Sequence, residues 1–128
     1  MTFDAVVFDL FGTLVPEFSR EEFYATVRSM GEALGVDPTA FEAGWSSTSM
    51  RRQTGGFATI GDNVRAICEM LGAAVSDEPL RCALEVRAGM YRRLFHPRVG
   101  AMETLTELKA RGYPIGLISM CAPDAPAM

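Results

Sequence analysis

Positive charge is scarce in this chain. Twelve Lys and Arg residues stand against sixteen Asp and Glu, for a net charge of -4. Non-specific nucleic-acid or anionic-membrane binding requires a basic face, so neither partner is expected. Histidine is reduced to His96, which precedes Pro97 and reads as a helix terminator. No Ser-His-Asp arrangement and no zinc pattern is found around it. Cys68, Cys82 and Cys121 are odd in number, at unrelated spacings and without Cys-x-x-Cys, which suits reduced thiols in the cytoplasm. No apolar run approaches the ~20 residues of a membrane helix. The acidic start, with Asp4 and Asp9, is unlike a signal peptide. No GxGxxG or P-loop is present.

What remains is a composition that can pack: 48% hydrophobic and 22% charged over 128 residues, enough for one domain or a small domain with an insertion. Phe3 to Phe8 is nearly continuously apolar and predicts a buried strand of a parallel sheet. Gly12 and Pro16 close a turn after it. The period then becomes helical. Phe23, Val27, Met30 and Leu34 mark a first helix, with Ser19 and Glu22 as a capping box, Phe18 and Phe23 as a staple, and Gly35 as its end. Asp37-Pro38 starts a second, carrying Phe41 and Trp45 and stopped by Gly55-Gly56. Ile60, Val64, Ile67 and Leu71 mark a third, ended by Gly72. A fourth runs from about Pro79 to Phe95, and a fifth from about Gly100 to Arg111. Tyr113 to Ser119 predicts a second strand, and the Ala/Pro-rich tail little regular structure. Four helices are too many for a plain crossover between two strands, so they read as a helical module inserted into an α/β core.

Asp9 is placed at the C-terminal edge of the first strand, where open α/β sheets bind ligands. A carboxylate there can act as a nucleophile. Backbone N–H groups around Phe11 and Gly12 can cradle an anion, and Thr13 can orient the carboxylate. The alternative is an Asp that caps its own turn. Ser119 at the end of the second strand can bind a substrate oxyanion, or merely cap the next turn.

The stretch VVFDLFGTLV resembles the first motif of the haloacid dehalogenase superfamily. RVGAMETLTELKARGYPIGLISMCAPD is similar to the stretch leading into its second motif, and the helical insert lies where that superfamily places a cap. The resemblance covers essentially the whole chain. It implies a hydrolase acting on a small anionic substrate, with Asp9 as nucleophile, Thr13 positioning it and Ser119 binding the anion. In magnesium-dependent members Asp9 and the Phe11 backbone carbonyl would face the metal. It also implies a partial Rossmann-like core over residues 1–15 and 97–128 and a helical cap over 16–96.

Two departures shape the expected chemistry. The superfamily's phosphatases carry an acidic general acid where this chain has Phe11. Losing that proton donor costs roughly 10²- to 10⁴-fold in ester cleavage. A halide leaves without protonation, so Phe11 tilts the expectation toward carbon–halogen cleavage, with no metal if so. The superfamily's third motif, a Lys, and its fourth, an acidic pair, follow the second motif. Here the sole lysine, Lys109, precedes Ser119, and Asp124 follows it too closely for the acidic pair. The chain is therefore expected to be cut short after the second motif and inactive alone. Alternatives are a catalytically silent fragment, or an interaction module that repairs its two-stranded sheet by pairing exposed edges with a second copy. On the cap, Arg51 and Arg52 are candidate anion binders, or solvated charges at a helix end.

Overall fold

The computed structural model describes residues 3–127. In chain order the elements are β1 (Val6–Phe8), α1 (Arg20–Leu34), α2 (Pro38–Ser47), α3 (Ser49–Gln53), α4 (Ile60–Met70), α5 (Asp77–Leu94), α6 (Ala101–Ala110) and β2 (Ile115–Leu117), then a 3₁₀ turn at Ala125–Ala127. The contacts divide the chain into two units. One holds residues 1–18 and 93–120; the other holds residues 19–92 and 121–128.

The first unit is a parallel pair of strands. Val6 pairs with Ile115, Val7 with Gly116 and Phe8 with Leu117. The Ile118 N–H donating to the Phe8 carbonyl at 2.9 Å carries the ladder one step further. The strands are shorter than the sequence suggests, and the buried strand expected over Phe3 to Phe8 is corrected: Val7 is 56% exposed and Leu117 55%. The physical reason is coverage. A strand with one neighbour has one bare edge, and α6, packed on β2, cannot shield both faces of the pair.

The second unit carries the core. Val27, Met30 and Leu34 of α1 meet Phe41 and Trp45 of α2, Val64 and Ile67 of α4, and Ala83 of α5. Local chemistry sets the helix ends. Ser19 Oγ accepts from the Glu22 N–H, Asp37 accepts from the Ala40 N–H at 2.7 Å, and Thr59 with Asp62 forms a complete capping box. Gly35 ends α1 at φ 72°, in the left-handed region. Gly44 lets α2 approach α4: a Cβ there would stand 2.6 Å from Ile67 Cγ2.

The expected second helix is interrupted at Thr48. Its hydroxyl donates back to the carbonyls of Gly44 and Trp45, a bond that competes with the helical ladder. The Trp45 carbonyl is then taken by the Arg52 guanidinium at 3.1 Å.

Candidate functional site

β1 ends at Phe8, so Asp9 is the first residue past the strand, and its side chain is exposed. The chain then folds tightly on the Leu10 carbonyl, which accepts from the N–H groups of Thr13, Leu14 and Val15 at 3.3, 2.9 and 3.1 Å. Gly12 sits at φ +76°, a conformation that favours glycine. The Gly12 N–H donates to the Val15 carbonyl at 2.9 Å. It is therefore committed to the turn, which corrects its expected place in an anion cradle.

Arg98 holds this turn from outside. Its backbone N–H donates to the Leu14 carbonyl at 2.9 Å and its guanidinium donates to the Gly12 carbonyl. Thr13 and Arg98 line a cavity of about 250 Å³ with Phe8, Leu14, Gly100 and Thr104. The Phe11 ring lies 4.8 Å from Phe18 and 6.0 Å from Phe95, centroid to centroid, so the residue in the general-acid position is one member of an aromatic cluster.

Ser119 lies two residues past the end of β2, and the strand register places it one step beyond the pairing position of Asp9. Its hydroxyl oxygen is buried and makes no hydrogen bond. A buried hydroxyl without a partner carries its full desolvation cost, about 1–3 kcal/mol, and would recover it on meeting an acceptor. An exposed carboxylate and an unused hydroxyl thus stand at the C-terminal ends of adjacent parallel strands, the ligand edge of such sheets.

Asp9 and the Phe11 carbonyl are the two oxygens that would face Mg²⁺, which takes roughly six and fills most of its shell with water. Among the described residues no three His, Cys, Asp or Glu side chains come together.

Arg51 and Arg52 lie in the helical unit. Arg51 is exposed, stacks 4.2 Å over Phe57 and donates to the Gly56 carbonyl at 3.1 Å, closing the loop after α3. Arg52 is 6% exposed, so it is not a solvated helix-end charge. It donates to Asn63 Oδ1 at 2.9 Å and stacks 4.1 Å over Trp45. Burial, reinforced by nearby Arg87, pulls its pKa down to about 10. Sequence reasoning missed Arg98 and Arg87, and it considered Asp124 only as a member of an acidic pair. Caps, turns and periodicity are local signals, whereas Arg87 meets Asp124 across 37 positions and Arg98 meets Gly12 across 86.

Among the described residues no helix is long and apolar enough to cross a membrane. No curated protein matches the chain. A family model of haloacid dehalogenase-like hydrolases matches residues 3–127. With a carboxylate-bearing turn after β1, an unused hydroxyl after β2 and helices α1–α5 between them, the chain belongs to the haloacid dehalogenase-like hydrolases.

Proposed function

We propose that Asp9 is the nucleophile of a hydrolase acting on a small anionic substrate, and that the substrate is of the 2-haloacid type. An Asp9 carboxylate oxygen attacks the carbon bearing the halogen. The carbon–halogen bond breaks, the halide leaves with the electron pair, and an Asp9 ester forms. Water then attacks the ester carbonyl, releasing a 2-hydroxy acid and a proton and restoring Asp9. The Ser119 hydroxyl donates to the substrate carboxylate. The observation that carries this is the unpartnered buried Ser119 oxygen beside the strand end that presents Asp9. Phe11 supports carbon–halogen over phosphate-ester cleavage, since an aromatic side chain donates no proton to a leaving alcohol.

Ester formation is the step to test, because it is the step that alters Asp9 covalently. The protein is incubated with 2-chloropropanoate and mapped by peptide mass. A lactyl-type adduct on the Asp9 peptide, absent in Asp9→Asn, is expected. Adducts confined to the free thiols Cys68, Cys82 and Cys121 would leave the silent-fragment alternative standing. Those free thiols also suit a reducing, cytoplasmic setting.

The exposed apolar side chains of Val7, Ile115, Leu117 and Ile118 support self-association through the sheet. Light scattering is expected to give a mass above one chain. A monomer at all concentrations would end that proposal.

A further inference from the structure

The helical unit contains a buried cationic cluster that the chemistry at Asp9 does not use. Arg87, 2% exposed, and Arg52, 6% exposed, lie against the same Trp45 ring at 4.9 and 4.1 Å. Arg87 grips Asp124 side-on, Nε to Oδ2 at 2.5 Å and Nη2 to Oδ1 at 3.1 Å, and Nη2 also donates to the Tyr91 hydroxyl at 2.8 Å. Arg52 spends its contacts on neutral acceptors: the Trp45 carbonyl, Thr48 and Asn63. Two guanidinium groups therefore share one carboxylate. Two buried donors, Arg87 Nη1 and Trp45 Nε1, have no acceptor at all. Removing an unbalanced cation and two N–H groups from water is costly unless an anion with spare oxygens is at hand.

We propose that Arg87, Arg52 and Trp45 form a binding pocket for a small carboxylate, that Asp124 occupies it as a built-in ligand, and that a free carboxylate takes the same place when the Asp124 side chain is absent or withdrawn. The side-on grip on Asp124 sets the ligand class, since planar carboxylate matches the Nε–Nη2 edge of a guanidinium. Entry is open. Asp124 is at the wall of two cavities of about 430 Å³ each, both bounded by Ile60, Leu80 and Leu84, whose apolar side chains suit the ligand's carbon skeleton. The pocket stands independently of Asp9, so either can fail without the other.

The test is chemical rescue of Asp124→Ala. The variant is expected to melt below the parent protein in chloride, and to gain roughly 5 °C in acetate or lactate at equal ionic strength. The parent protein should gain nothing, and Arg87→Met combined with Asp124→Ala should lose the response. If Asp124→Ala does not fold in chloride, refolding is read by circular dichroism. Recovery in acetate alone supports the pocket, and recovery in neither salt overturns it. A variant that melts like the parent, or responds equally to chloride, also overturns it.

Discussion

Arg98 clamps Gly12: its guanidinium donates to the Gly12 carbonyl while its backbone N–H holds the Leu14 carbonyl at 2.9 Å, so one residue pins both sides of the turn that follows Asp9. The Gly12 conformation, at φ +76°, is held by these bonds and by Val15. Replacing Arg98 with Ala removes one exposed bond, worth about 1 kcal/mol or less in global stability. The effect on the turn should be larger than the effect on the fold. Hydrogen exchange at Gly12, Leu14 and Val15 is expected to speed up roughly tenfold, with exchange in α1 and α4 unchanged. Equal acceleration everywhere would mean that Arg98 supports the whole molecule and not the turn.

Ser119 separates structure from chemistry. Because its hydroxyl has no partner, Ser119→Ala removes a desolvated group without orphaning another. Urea denaturation should find the variant as stable as the parent or slightly more so. Esterification of Asp9 by 2-chloropropanoate should fall about tenfold, the worth of one hydrogen bond to a charged group. A loss of stability with unchanged esterification would make Ser119 structural.

Much of the strand unit and many helix ends were legible because their signals are local. A hydrophobic run, an Asp, a Gly-Thr turn and a second run ending in Ser need no tertiary knowledge, and the caps at Ser19 and Asp37 declare themselves within four residues. The cationic cluster was not legible. Arg52 follows Arg51 at the end of a short helix and looks like surface charge. It becomes internal where the helix breaks at Thr48, and the Trp45 carbonyl accepts from both the Thr48 hydroxyl and the Arg52 guanidinium. Arg87 and Asp124 are ordinary polar positions until the fold brings them together across 37 residues. The strands, too, read as buried from composition. Burial needs covering neighbours, and composition does not report those.

Phe11 offers a gain-of-function test. If an aromatic residue there withholds a proton from leaving alcohols, Phe11→Asp should raise phosphate-ester cleavage relative to the parent protein, by up to roughly 10²- to 10⁴-fold. The ring's contacts with Phe18 and Phe95 would be lost, at about 0.5–1.5 kcal/mol for each pair. The assay is therefore run well below the variant's melting point, with p-nitrophenyl phosphate. No increase in a folded variant would show that the missing general acid is not what limits ester cleavage.

The helix crossing at Gly44 makes a quantitative stability prediction. Gly44→Ala gains about 1 kcal/mol of helix propensity, but its methyl would meet Ile67 Cγ2 at 2.6 Å. That methyl branches from the backbone-proximal carbon of a fully buried side chain and has no free end to swing away. Overpacking of this kind costs about 1–3 kcal/mol, so net destabilisation is expected. Adding Ile67→Ala should make Gly44→Ala favourable, a coupling that a double-mutant cycle in urea measures directly. Additive effects would mean that α2 and α4 separate freely.

Tyr91 gives the pH dependence of the same unit. Burial pushes its phenol up to about 12, against the pull of neighbouring Arg87 and with a smaller push from Asp124. The unfolded phenol titrates near its ordinary value of about 10. Between those values the folded protein keeps a proton that the unfolded chain has released, so stability falls as pH rises. The contribution is fully present below pH ~10 and gone above pH ~12, and is worth roughly 2–3 kcal/mol across the window. Arg52, held down at about 10, runs with the opposite sign, because there the unfolded chain binds the extra proton. Its effect is common to the parent protein and to Tyr91→Phe and largely cancels in their difference. Tyr91→Phe should be about 1 kcal/mol less stable near neutrality, since Arg87 Nη2 loses an acceptor at 2.8 Å. From pH ~10 upward its urea midpoint should fall less steeply than the parent's. Parallel pH profiles for the two proteins would mean that the Tyr91 phenol titrates as it does in the unfolded chain, and that the cluster around Arg87 is open to water.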